Sequence, residues 1–197
     1  MLDRLKEKLS LMLSRERMEH TFGVQKMAVE LAILYGTDIC KANIAALLHD
    51  CAKDIPEKEL LSKCSEYGVE LDDISLLEPE LIHAPLGAKI AQRDFEIWDE
   101  EILKAIECHT TGCTRMSKLD KIIFLADLIE PGRNFPGISE IRRKAFKNLD
   151  EAVVMAMDNK IEYVLSQKKL LHPNTVYARN YIVKEIYYDR GDSVENR

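Results

Sequence analysis

Apolar residues recur along almost the whole chain at the three- and four-residue spacing of a helix face, and almost nowhere in the alternation of a strand. Met18 to Tyr35 is apolar at Phe22, Val24, Met27, Ala28, Leu31, Ala32 and Leu34, and Gly36 stops it. Thr37 then stands where an N-cap is expected, with Asp38 placed to favour the helix dipole. The dense run Ile44 to Leu48 follows, apolar on every face and hence expected to be buried. Pro56 fits the first position of the next helix, which Gly68 ends, and Asp72 to Leu77 reads as a short one. Pro85 opens a helix to Arg93, Asp99 to Thr110 forms another, and Ser117 with Asp120 makes a capping box for Lys118 to Ile129. Pro131 to Gly137 is a loop; helices near Leu149–Gln167 and Pro173–Tyr188 close the chain. The expectation is one all-α domain of roughly eight to ten helices over residues 1–190, then a polar tail at 191–197.

The composition narrows the function classes. In 197 residues, 34 acids stand against 28 bases, a net charge of −6 with no basic stripe, so nucleic acid is not the expected partner. Arg142-Arg143-Lys144 reads as a solvated helix face. The longest apolar run is Ala152 to Met157, far short of the roughly 20 residues of a membrane span. The opening MLDRLKEKLS lacks the apolar core of a secretory signal, so a cytoplasmic location is expected. Five cysteines, an odd number without a CxxC pair, read as reduced and mostly buried thiols. Cys108 and Cys113 flank His109, but their spacing fits no common zinc module.

Phosphate-binding glycine loops, HExxH and GxSxG are all missing. What remains is a scattered set of metal-type ligands: His20, the pair His49-Asp50 in ALLHDCAKD, His83 in LIHAPLGA, His109 in IECHTTG and Asp127 in IIFLADLIEPGR. A lone helical histidine is ordinarily a surface residue or a hydrogen-bonded core residue. Asp127 is harder to place that way. Its apolar neighbours on both sides bury it, few cations lie nearby in sequence, and a metal ion is a physical candidate for its partner. His49 and Asp50 also point inward. Adjacent helical residues diverge by about 100°, so the two reach one ion only at a helix end, which Cys51 to Pro56 supplies.

The order His20 … His49-Asp50 … Asp127 resembles the H…HD…D signature of HD-domain metal-dependent phosphohydrolases, and His83 with His109 resembles the subset that holds two metals. HDCAKDIP, His83-Ala84-Pro85, His109-Thr110-Thr111-Gly112, ADLIEPGR and LHPNTVYARNYI together resemble the bacterial YqeK family from His20 to about Tyr188. That resemblance implies an HD-domain helical bundle and a symmetrical diadenosine tetraphosphate hydrolase, splitting its substrate into two ADP. It implies one metal held by His20, His49, Asp50 and Asp127, and a second held by His83 and His109 with Asp50 bridging. Iron is the metal it suggests, and such ligands also suit manganese, cobalt or zinc. The implied catalytic residues are Asp50, Lys53 and His109.

For substrate, the resemblance implies contacts from Lys53, His83, His109, Thr110, Arg133 and the segment His172–Arg179, with Asn174, Thr175 and Tyr177 toward base or ribose. Lys53 follows Asp50 by about one helical turn and suits a phosphate contact, or is a solvated lysine. Arg133 suits bidentate phosphate binding. Thr110 either contacts phosphate or caps its helix, His172 either contacts nucleotide or only precedes the helix at Pro173, and Glu130 is expected to organise Arg133. The other enzyme reading is an HD-type nucleotidase for deoxynucleoside monophosphates. A cyclic-dinucleotide phosphodiesterase is disfavoured by the missing GYP tripeptide. A non-catalytic nucleotide-binding module is the reading from another class, and the intact ligand set argues against it. A nucleotide is thus the expected small-molecule partner, with a homodimer as an open expectation.

Overall fold

The structure, a computed structural model, describes residues 2–189; the polar tail expected at 191–197 lies outside them. Among the described residues there are eleven α-helices, one short 3-10 turn and no strand. The helices are α1 (Leu2–Ser10), α2 (Arg15–Tyr35), α3 (Ile39–Leu48), α4 (Glu57–Tyr67), α5 (Asp73–Leu77), α6 (His83–Asp94), α7 (Glu100–Cys108), α8 (Lys118–Ile129), α9 (Ile138–Ala145), α10 (Leu149–Ser166) and α11 (Pro173–Tyr187). The count is one above the expected eight to ten, and α9 is a helix the sequence reading did not place: it is short and highly charged and buries only Ile138, Ile141 and Ala145, so its periodicity is easily missed.

Several expected ends move by a residue or two. Asp38, not Thr37, caps α3: its carboxylate accepts the Lys41 amide at 3.0 Å. Pro56 is the cap of α4 rather than its first residue, and Pro85 is the third residue of α6, which starts at His83. The capping box of Ser117 and Asp120 is present as expected.

At the centre, α3 packs on α2, α7 and α8, while α2 and α7 also pack on α8. Leu47, Leu48, Ile122, Ile123 and Leu125 are fully buried there. Burying such a side chain contributes roughly 1.5–3 kcal/mol, which fixes the ends of α3 and α8 that carry His49-Asp50 and Asp127. α10 lies across α8, α9 and α11, adding a second wall outside this central group. No helix among the described residues is long and apolar enough to cross a membrane.

Candidate metal centre

α3 ends at Leu48, and His49 to Asp54 follow as turns. That break is what lets two adjacent side chains point to one place. His49 and Asp50 are both buried. α2 brings His20, the start of α6 brings His83, the end of α7 brings His109, and the last turn of α8 brings Asp127.

Asp50 stands between two groups of imidazoles. Its Oδ2 lies 3.7 Å from His20 Nε2 and 3.5 Å from His49 Nε2; its Oδ1 lies 3.3 Å from His83 Nε2 and 3.6 Å from His109 Nε2. Asp127 Oδ1 lies 3.0 Å from His20 Nε2 and 3.8 Å from His49 Nε2. All six side chains that the sequence singled out therefore meet.

The other ring nitrogens define which atom is offered. His49 Nδ1 faces Ala46 O at 2.7 Å, His83 Nδ1 faces Glu80 O at 2.5 Å, and His109 Nδ1 faces Ile106 O at 2.7 Å. A carbonyl oxygen only accepts, so each Nδ1 carries the proton and each Nε2 presents a lone pair inward. Glu130 Oε1 does the same for His20 at 3.2 Å. Nε2 of His20 and of His49 are buried without a hydrogen-bond partner. Their nearest neighbours are carboxylate oxygens, so lone pairs face lone pairs, an arrangement that fits a cation set between them. Three overlapping sets, His20/His49/Asp50, His49/His109/Asp127 and Asp50/His83/His109, each hold their ligand atoms within 4.8 Å of one another. The cluster can hold a metal ion.

Electrostatics agree with that reading. Burial pushes His49 and His83 down, toward the neutral form that binds metal. At His20 burial is outweighed by the nearby carboxylates of Asp127 and Glu130 and the net shift is upward, so a metal taken up there displaces a proton. Burial would raise Asp50 and Asp127, but the surrounding imidazoles outweigh it and hold both carboxylates well below their ordinary range.

Two arginines close the floor. Arg133 Nη2 donates to Asp127 Oδ1 at 2.9 Å, so a cation does stand near Asp127, brought back by the turn at Pro131-Gly132. Arg17 Nη1 donates to Asp50 Oδ2 at 2.8 Å. Sequence reading missed Arg17, although it lies one helical turn before His20. Glu130 departs from expectation: it lies 4.0 Å from Arg133 Nε, while His20 and the Gly132 amide, at 2.5 Å, are its close partners. Gly23, one turn after His20, leaves the space for that carboxylate, since a Cβ there would lie 2.6 Å from Glu130 Oε2. Arg142 is not part of a solvated face. It donates to Ile129 O at 2.9 Å, Glu130 O at 2.6 Å and Arg133 O at 2.9 Å, pinning the loop that carries Glu130 and Arg133.

Above the cluster opens a cavity of about 680 Å³, lined by Lys53, His83, Thr110, Arg133 and, from the second wall, Lys160 and Thr175. The Thr110 hydroxyl lies 3.1 Å from Nε2 of both His83 and His109. Asn174 and Tyr177 are not among the lining residues. His172, which also lines it, caps α11 by accepting the Asn174 amide at 3.1 Å. Lys160 had no local sequence signal, because its partner Thr110 is 50 residues away.

The HD domain family matches residues 17–132, from the start of α2 to the loop after α8. The chain is 40% identical over 173 residues to the symmetrical bis(5'-nucleosyl)-tetraphosphatase of Halalkalibacterium halodurans, covering 88% of this chain and 92% of that one. The Bacillus subtilis protein of the same name is 39% identical over 87% of this chain and 91% of its own. The crystal structure of a predicted HD superfamily hydrolase involved in NAD metabolism from Clostridium acetobutylicum superposes with a TM-score of 0.89 at 42% identity, covering 93% of this chain and 97% of that one. With its clustered histidines and aspartates, its cavity and these relatives, the chain belongs to the HD-domain family of metal-dependent hydrolases, among the symmetrical bis(5'-nucleosyl)-tetraphosphatases.

Proposed function

We propose that this protein hydrolyses diadenosine tetraphosphate at its central anhydride, releasing two ADP. The observation that carries the reading is the convergence of four imidazole Nε2 atoms on Asp50 and Asp127 at the floor of a cavity with cationic walls. One ion would be held by His20, His49, Asp50 and Asp127, and a second by His83 and His109, with Asp50 common to both. Iron is the assigned metal; imidazole and carboxylate also accept manganese, cobalt or zinc. Bound there, such ions acidify a water and neutralise phosphoryl oxygens.

The chain's own residues do the rest. Asp50 holds the two ligand groups in register. Arg17 and Arg133, already at the two carboxylates, present further N–H groups toward the anionic chain. Lys53, whose ammonium is pulled down chiefly by burial, adds positive charge beside His83, which lies 3.2 Å away. The Thr110 hydroxyl, next to His109, is placed to donate to a phosphate oxygen. The leaving group is a nucleoside diphosphate, and the charge it acquires is met by these cations. Thr175, buried and lining the cavity, contacts the nucleotide; Asn174 and Tyr177 are assigned to its exposed end.

The test is turnover of diadenosine tetraphosphate by full-length protein loaded with iron or manganese, against the same protein after chelation. Turnover that needs the metal supports the reading. Tight nucleotide binding with no turnover under any metal would replace it with a regulatory module.

A further inference from the structure

α10 lies beyond residues 17–132, the part of the chain that the HD domain family matches. It carries one lysine, Lys160, in its fourth turn. The side chain runs beside Phe124, with Nζ 5.8 Å from the ring centroid, and reaches the cavity wall. Nζ donates to the carbonyl oxygen of Thr110, the residue after His109. An ammonium has three hydrogens to donate, and that neutral carbonyl is its only hydrogen-bond acceptor among the described residues.

Three of the other cavity cations differ: Arg17 and Arg133 face Asp50 and Asp127, and Lys169 faces Glu80 at 2.8 Å, whereas Lys53 lies 3.2 Å from His83 Nδ1. Among the described residues, Lys160 has no carboxylate within ion-pair distance. Burial pulls its pKa down; the charges of Lys53 and Arg133 add to that, and Asp127 opposes it. A half-buried ammonium with two free donors, crowded by two other cations, fits an anion that the protein does not itself provide.

Resting on the hydrolase reading above, we propose that Lys160 is a substrate-binding residue, whose ammonium bridges the Thr110 turn and a phosphate oxygen of the polyphosphate chain. It thereby extends the cationic surface from the family's metal floor onto the α10 wall. That extension is what a chain of several phosphates needs and a single phosphate does not, so Lys160 favours nucleoside di- and polyphosphates over monophosphates.

The experiment uses the full-length, metal-loaded protein with Lys160→Met, which keeps the stem, and Lys160→Arg, which keeps the charge. ADP and AMP affinities are measured by titration calorimetry, beside metal content and the KM and kcat for diadenosine tetraphosphate. Losing a charged hydrogen bond predicts about a tenfold to hundredfold weaker ADP affinity in Lys160→Met and a KM raised to match, with metal content unchanged. AMP affinity falls less, and Lys160→Arg recovers most of the loss. ADP affinity within twofold of wild type in folded, metal-loaded Lys160→Met overturns the proposal. So does an equal loss in both variants accompanied by loss of metal, because that marks a purely structural tie to Thr110. Should Lys160→Met fail to fold, acetylation of wild-type lysines mapped by mass spectrometry decides. Saturating ADP must shield Lys160, and an unshielded Lys160 refutes the role. If wild type turns over no dinucleotide while ADP binding still depends on Lys160, the hydrolase reading fails and this one stands.

Discussion

Gly23 lies inside α2, where replacing glycine by alanine ordinarily stabilises a helix by about 0.5–1 kcal/mol. Here the added methyl would stand 2.6 Å from Glu130 Oε2 and 3.3 Å from its Cδ. That carboxylate is tied on both sides, by the Gly132 amide at 2.5 Å and by His20 Nδ1 at 3.2 Å. Swinging it away surrenders at least one hydrogen bond to a charged group, worth about 1.5–3 kcal/mol. Gly23→Ala is therefore expected to destabilise the protein by about 1–2 kcal/mol, reversing the usual sign. With His20 no longer held by Glu130, metal affinity should fall by about tenfold to a hundredfold. Urea unfolding of metal-free protein reads the first effect, and metal titration reads the second. The decisive control is Gly23→Ala in a Glu130→Ala background, where the methyl meets only the Cβ of residue 130 at 3.5 Å, an ordinary van der Waals contact, and should stabilise. A single Gly23→Ala variant that is more stable than wild type and binds metal equally well would refute the link between Gly23, Glu130 and His20.

Other expectations concern separate parts of the molecule. Asp127→Ala should lose metal and activity together, and a variant retaining full metal content by elemental analysis contradicts the ligand assignment. Arg142→Ala strips donors from three backbone carbonyls around the Glu130–Arg133 loop and should lower stability by about 2 kcal/mol in urea. Unchanged stability would mean that the loop holds itself. Tyr67 donates its hydroxyl to Asp94 Oδ2 at 2.8 Å, and burial with Asp94 pushes the phenol up to about 12 from 10.0. The fold favours the neutral phenol, so its contribution is complete below about pH 10 and is lost as pH rises to about 12. Wild type should lose stability relative to Tyr67→Phe across that window, and parallel pH profiles would contradict this.

The sequence revealed the floor of the site more fully than its walls. Asp127 was legible because a carboxylate among Ile122–Ile129 has to be buried, and His49-Asp50 because they end an apolar run. The motif order then carried His20, His83 and His109. Arg17 and Lys160 were not legible. Surface lysines and arginines are common on helices, and what distinguishes these two is a partner far along the chain, in the turn after another helix: Asp50 for Arg17 and Thr110 for Lys160. Arg142 was misread for the same reason, since its three acceptors are backbone carbonyls, which composition cannot mark. Asp127 was given a metal partner because no cation lies beside it in sequence, yet the Pro131-Gly132 turn returns Arg133 to it at 2.9 Å. α9 was missed because it buries only Ile138, Ile141 and Ala145.

The central claim is that this protein hydrolyses diadenosine tetraphosphate at its central anhydride. Resolving the products of diadenosine tetraphosphate hydrolysis by metal-loaded protein at early times tests it most directly. The account predicts ADP alone, two for each substrate consumed. ATP and AMP in equal amounts would contradict it, whatever the rate.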